Sequence, residues 1–240
     1  MANLIIDIGN TAVKACLAEG TTLGKTFRYQ GEKGIDFIHS LAVKEKPQVM
    51  VISSVFVIPD SEGRRLSAVC GRLVILDPSR KEILREKELP DHLSYDRAAS
   101  VMAARYLFKG KGCTVVDFGT TLTVDFTDED GRYAGGNVSL GCRTRFKALN
   151  RYSRTLPLVD TPEETPVIGS SFRTAITSGV VSGIMFEIEG YIGLNPGNVV
   201  VFTGGDAIYF AKRMKKSIFV VCNLVLMGLA LIADQYVESR

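Results

Sequence analysis

The chain has 240 residues, 46% hydrophobic and 23% charged, a balance that excludes disordered and fibrous classes and allows one large domain or two small ones. A net charge of +3 and a pI near 8.5 are too mild for a dedicated nucleic-acid face, while leaving small anionic ligands compatible. Five scattered cysteines without a C-x-x-C pair and only two histidines read as reduced thiols in a cytoplasmic protein and speak against a zinc site.

Leu4 to Ile8 is a β-branched strand that carries Asp7, and no basic start with an apolar signal segment precedes it. The turn Gly9-Asn10-Thr11-Ala12 follows, and Ala12 to Leu17, with Val13 and Lys14, returns as a second strand. Gly20 to Gly24 turns the chain into a third strand around Lys25 to Tyr29, completing a meander. Ile35 to Lys46 has apolar residues at helical spacing and stops at Pro47. Gln48 to Val57 is an apolar strand containing Ser53-Ser54, which read either as groups at a crevice or as two solvated serines. Glu62 to Cys70 is a short helix and Leu73 to Leu76 a short strand closed by Asp77-Pro78. Lys81 to Lys87 reads as a solvated surface segment.

Ala98 to Phe108 is helical by propensity and pattern, which sets Ser94-Tyr95-Asp96-Arg97 at a helix N-terminus. Two readings of Asp96 stand there. An acid is favoured by the macrodipole and by capping, worth roughly 1 kcal/mol. The same carboxylate, held ionised by nearby N–H groups and Arg97, also suits a general base that takes a proton from a hydroxyl.

Cys113 to Asp117 and Thr121 to Phe126 are strands around Gly119-Thr120, and Asp125 reads as a sheet-edge acid. Asp128 to Gly131 is a hairpin turn, Gly135-Gly136 begins a loop, and Arg143 to Arg154 is a basic helix. Thr161 to Ile168 is an exposed linker. Ser171 to Gly190 is helical, with Thr174 in its first turn. Asn198 to Asp206 is a strand ending in Gly204-Gly205, followed by a short helix to Lys212. Ile218 to Val221 is a strand and Leu224 to Val237 the terminal helix. The apolar stretch Ile218 to Ala233 is shorter than the ~20 residues a membrane-spanning helix needs and reads as buried core.

The chain repeats itself. Leu-Ile-Ile-Asp7-Ile8-Gly9-Asn10-Thr11 lies over Thr-Val-Val-Asp117-Phe-Gly119-Thr120-Thr121, an apolar strand delivering an acid, a glycine and a hydroxyl. A carboxylate at a strand end can hold Mg²⁺, and the glycine lets backbone N–H groups approach a phosphate. One copy alone is also an ordinary turn; two copies in register suggest two related lobes facing one ligand. No P-loop and no dinucleotide fingerprint is present.

On these motifs the chain resembles the acetate and sugar kinase, Hsp70 and actin superfamily and, within it, the type III pantothenate kinases. The resemblance implies two α/β lobes of ribonuclease H-like fold, residues 1–112 and 113–240, with ATP in the cleft between them. It implies that Asp7 to Lys14, Thr120, Gly204 and Gly205 contact ATP, with Mg²⁺ near Asp7 and a monovalent cation, K⁺ or NH₄⁺, at Asp117. Pro90 to Asp96 keeps the family's interval to its Gly-x-Asp-Arg motif. By that match Asp96 is the base, and Ser94, Tyr95, Arg97 and Thr174 help bind pantothenate. A homodimer whose interface closes the substrate pocket is also implied. The sequence departs from the pattern at Ser94 (glycine in the family), Lys87 (tyrosine) and Leu140 (proline), the last implying a less rigid loop.

Overall fold

In the structure, a computed structural model that describes residues 2–238, the chain divides into two units, Met1–Leu107 with Asn223–Arg240, and Phe108–Cys222. The first is built on β1 (Asn3–Ile8), β2 (Val13–Glu19), β3 (Thr22–Tyr29), β4 (Val49–Ser54) and β5 (Arg72–Leu76), in the sheet order β3-β2-β1-β4-β5. β1, β2 and β3 form the expected antiparallel meander, and β4 and β5 run parallel to β1.

The strand period of two explains the apolar run in β1. Leu4, Ile6 and Ile8 pack with Ile38, Leu41 and Ala42 of α1 (Gly34–Glu45) and with Leu66 of α2 (Asp60–Ser67). Ile5 faces the other side of the sheet, where the terminal helix α8 (Leu224–Glu238) lies on β1 and β4. With both faces covered, β1 has no need of polar alternation. α1 ends at Lys46, which takes the left-handed conformation (φ 47°) just before Pro47. α8 also packs on α4 (Tyr95–Leu107), at Gly228: a Cβ there would run into the Ala99 carbonyl, so only glycine allows this approach.

The second unit repeats the plan with β6 (Cys113–Phe118), β7 (Thr121–Thr127), β8 (Tyr133–Leu140), β9 (Val199–Gly204) and β10 (Phe219–Val220). Its order, β10-β9-β6-β7-β8, and its strand directions match those of the first sheet. α5 (Cys142–Tyr152), α6 (Phe172–Leu194) and α7 (Ala207–Ala211) cover it, with Phe146, Val180, Val181, Ile184, Ile188 and Phe210 in its core. The Phe118 ring stacks on Phe210 at 5.0 Å and meets Phe202 edge-on at 4.8 Å. Each unit is thus a ribonuclease H-like α/β sheet, and the duplication read from the two aspartate motifs is a duplication of topology.

Several local expectations give way. Gly135 and Gly136 do not open a loop: they lie inside β8, paired with Phe126 and Asp125. That strand continues to Leu140, whose carbonyl accepts from Arg145 Nε at 2.8 Å, so replacing the family's proline leaves this segment in the sheet. Asp125 is not at a sheet edge, since β7 is flanked on both sides; it is 1% exposed and accepts from the Tyr133 hydroxyl at 2.8 Å. Lys81 to Lys87 contains α3 (Glu82–Glu86), whose Ile83 and Leu84 are buried beneath its charges. Ser53 and Ser54 are both buried. Where the expected second lobe ran to residue 240, the observed second unit ends at Cys222 because α8 returns to the first sheet. No helix among the described residues is long and apolar enough to cross a membrane, and Leu224, Leu229 and Ala233 of the apolar C-terminal stretch are core residues.

Candidate active site

In the first unit, β1 delivers Asp7 one residue before its end, 8% exposed and flanked in register by Lys14 on β2 and Ser53 on β4. The chain then reverses through residues 9–12, closed by Gly9 N–H donating to the Ala12 carbonyl at 3.1 Å. Ile8 and Val13 anchor the turn in the core while Asn10 and Thr11 project into solvent. Ile8 to Val13 line a cavity of about 340 Å³ with Gly31, Glu32, Gly34, Ile35 and Phe56. Polar turn residues and a glycine line this cavity, and the recessed Asp7 with Lys14 opposite it in register lies next to the turn; these are residue types that can meet phosphate and a counter-cation.

The second unit places Asp117 at the matching point of β6, flanked by Thr123 on β7 and Thr203 on β9. Its turn differs. Only Gly119 and Thr120 separate β6 from β7, whereas four residues, 9–12, separate β1 from β2. The ungapped overlay of Thr11 on Thr121 therefore fails in space: Thr11 is a turn residue and Thr121 opens a strand. Thr120 is exposed, but its carbonyl is gripped by Thr144 Oγ1 at 2.7 Å and by Gly141 N–H at 3.1 Å.

Gly204 closes β9 against this point. Its φ is +90°, and a Cβ there would collide with Asp117 Oδ1 and lie 2.6 Å from Phe118 N and O, so β9 passes directly over the aspartate. Gly205 donates to the Phe118 carbonyl at 2.9 Å, and a Cβ at Gly205 would meet that oxygen only at 4.0 Å. Asp206 follows, its carboxyl pushed up from the ordinary range by burial.

The third element is the start of α4. Ser94 lies just outside the helix and its carbonyl accepts from Ala98 N–H at 2.9 Å. Asp96 is half-buried in the first turn, Oδ1 accepting from Arg97 N–H at 2.9 Å. Tyr95 turns the other way, 3% exposed, its hydroxyl donating to the Arg80 carbonyl at 2.7 Å. Burial pushes this phenol up to about 12. In the second unit Thr174 is bound up in a capping box: Ser171 Oγ accepts from Thr174 N–H at 3.2 Å, and Thr174 Oγ1 accepts from Ser171 N–H at 2.8 Å.

Two side-chain clusters, one buried and one half-buried, escaped the sequence reading. Asp77 is fully buried; its carboxylate accepts from Ile58 N–H (3.1 Å), Ser79 N–H (3.0 Å), Ser79 Oγ (2.6 Å) and the Arg80 guanidinium. Burial pushes its pKa up, and the hydrogen bonds from Ser79 and Ile58 with the Arg80 charge overcome that, leaving it lowered. The signal was present as Asp-x-Ser after a strand, an Asx-turn pattern. In the second unit Arg145 pairs with Glu187 while also donating to the Leu140 carbonyl and to Ser139 Oγ, tying α5, α6 and β8 together. Among the described residues no three His, Cys, Asp or Glu side chains gather as a metal cage.

A family model described as type III pantothenate kinase matches residues 3–193. Relatives so named include one from Bacteroides fragilis, 36% identical over 232 residues that cover 95% of both chains. Another, from Phocaeicola vulgatus, is 37% identical over 95% of this chain and 96% of its own. Among solved structures, a protein from Campylobacter jejuni described as a Baf family transcriptional activator aligns over 98% of this chain and 99% of its own, with TM-score 0.67 and 20% identity. A ROK hexokinase from Thermus thermophilus aligns over 100% of both chains, with TM-score 0.56 and 14% identity. At such identities the structural likeness speaks to fold alone.

Proposed function

We infer the roles of individual side chains from one premise: the chain belongs to the type III pantothenate kinase family. It transfers a phosphoryl group from ATP to pantothenate, giving 4′-phosphopantothenate in coenzyme A biosynthesis. Phosphoryl transfer demands mainly positioning and charge neutralisation. The observation that best supports the assignment of parts is the repeated aspartate-glycine turn at matching points of two like sheets.

In this reading residues 7–14 take the ATP phosphates, with turn amides and the Lys14 charge facing them. Thr120, held by Gly141 and Thr144, supplies a further phosphate contact, and Gly204 and Gly205 admit the nucleoside through their lack of side chains. Asp96 takes the proton from the pantothenate hydroxyl as its oxygen attacks the γ-phosphorus. Ser94, Arg97 and Thr174 orient the acceptor.

A single recessed carboxylate at Asp7 fits Mg²⁺, which keeps several waters and substrate oxygens rather than a full protein cage. Bound there, Mg²⁺ would neutralise phosphate charge. Asp117 beside the Gly204 backbone and the Phe118 carbonyl offers one charge among neutral oxygens, a donor set suited to K⁺ or NH₄⁺.

A homodimer is part of the same proposal. An apolar groove of about 860 Å³ along α5 and α6 is lined by Leu140, Leu149, Tyr152, Phe172 and Ile176, and Tyr152 and Phe172 are 85% and 69% exposed. A second copy would cover it. The cytoplasm is the compartment this reading implies, with ATP as donor and all five cysteines unpaired.

The assignment of Asp96 is tested by Asp96→Asn. ATP affinity, measured by equilibrium titration, should survive, and turnover should fall roughly 10²- to 10⁴-fold. Undiminished turnover removes Asp96 from the mechanism.

A further inference from the structure

Tyr95 stands immediately before the proposed base, yet its side chain points into the core rather than toward a substrate. We propose that Tyr95 is a positioning residue: by anchoring the first turn of α4 to the 77–80 turn, it fixes the direction in which the Asp96 carboxylate points. The proposal rests on the reading of Asp96 as base.

Helix geometry links the two side chains. At 3.6 residues per turn, consecutive side chains leave the axis about 100° apart, so fixing the azimuth of Tyr95 fixes that of Asp96. First turns fray, because their N–H groups have no partners within the helix. The bond from Arg97 N–H to Asp96 cannot resist fraying or roll, since both groups belong to α4 and move with it. The Tyr95 hydroxyl reaches out of the helix to the Arg80 carbonyl, fifteen positions earlier in the chain. Lys81 Nζ stands 5.9 Å from the centroid of the same ring.

An anchor is useful only if its far end is rigid, and here the buried Asp77 supplies that rigidity. Its carboxylate ties the turn at three places, Ser79 N–H, Ser79 Oγ and the Arg80 side chain, and ties the turn in turn to Ile58 N–H beyond β4. The Arg80 carbonyl is thereby held at a fixed point of the first unit. Asp77, Arg80, Tyr95 and Asp96 form a chain from core to reacting group, every link of which lies in one unit.

The test is a double-mutant cycle on the full-length enzyme, read as the single-turnover rate of pantothenate phosphorylation with saturating Mg-ATP. Tyr95→Phe keeps the ring and removes only the hydroxyl. Since ångström-scale misplacement of a reacting group costs up to about 10²-fold, a loosened first turn should lower the rate about tenfold while the ATP dissociation constant stays within twofold. In the Asp96→Asn background the same substitution should change nothing further, because there is no base left to aim. A tenfold loss in both backgrounds, or an unchanged rate with only a lowered melting temperature, makes Tyr95 a packing residue and overturns the proposal. Wild-type turnover by Asp96→Asn itself defeats the base assignment, and the positioning role falls with it; this outcome is recognised in the single variant before Tyr95 is touched. Should Tyr95→Phe not fold, Ser79→Ala loosens the same anchor from its exposed end, and a rate loss of threefold or more that vanishes in the Asp96→Asn background is expected; an additive or absent loss again refutes the idea.

Discussion

Replacing Gly204 by alanine tests the tight approach of β9 to Asp117. The residue sits at φ +90°, where a side chain costs about 1–2 kcal/mol. The added Cβ would also lie 2.6 Å from the amide nitrogen and carbonyl oxygen of Phe118, well inside the 3.4 Å at which ordinary contact begins. Both atoms belong to β6, the central strand of the sheet, and cannot move aside as a flexible side chain would; overpacking of this kind costs about 1–3 kcal/mol. Together these give a loss of about 2–5 kcal/mol and a fall in melting temperature on the order of 10 °C. The Asp117 carboxylate would be displaced at the same time, so activation by K⁺ should weaken more than the Mg²⁺ response. Thermal unfolding and rate titrations in K⁺ read the two effects. Gly205→Ala is the internal control for stability, since its Cβ meets only the Phe118 oxygen at 4.0 Å, and it should unfold nearly as wild type. If Gly204→Ala unfolds as Gly205→Ala does and keeps the wild-type K⁺ response, the close approach and the role built on it are wrong.

Asp7→Asn should raise the Mg²⁺ concentration needed for half-maximal turnover by about tenfold or more, a factor of ten corresponding to about 1.4 kcal/mol of lost interaction; a Mg²⁺ titration identical to wild type would remove Asp7 from the metal site. Ser171→Ala breaks the capping box of α6 and should cost about 1 kcal/mol in urea unfolding; the absence of any shift in midpoint would contradict it. Asp77 has its pKa lowered in the folded protein, so the stability it contributes is complete above the ordinary carboxylate value of 3.8 and is lost as pH falls through the lower folded value. Unfolding measured from pH 5 down to pH 2 should show a steeper loss for wild type than for Asp77→Asn, and parallel curves would refute the linkage.

Most sheet strands and both aspartates were legible because their information is local, a β-branched run, an acid and a glycine; β8 was not, because Gly135-Gly136 reads as a loop until its pairing with Phe126 and Asp125 is known. The long helices were legible from their period. What escaped depends on partners far away in sequence. The two-residue difference between the turns at Gly9 and Gly119 is invisible to an ungapped overlay, because register is fixed by Lys14 opposite Asp7 and Thr123 opposite Asp117. Nothing in Leu224 to Glu238 says that it will cross back to the first sheet; the clue is Gly228, whose need appears only once Ala99 is known to face it. Asp125 read as an edge acid because alternation shows which face a residue takes, not whether another strand lies beyond it. Its place in the motif groups Tyr95 with the substrate contacts. Its hydroxyl had already found the Arg80 carbonyl, a partner no motif records.

The central claim is tested most directly by ADP release from Mg-ATP with and without pantothenate, in K⁺ and in Na⁺ buffer, with the product mass determined. Release stimulated by pantothenate, stronger in K⁺, and a product heavier by one phosphoryl group are the predicted results. ATP binding by the folded protein with no stimulation in either buffer would contradict the account.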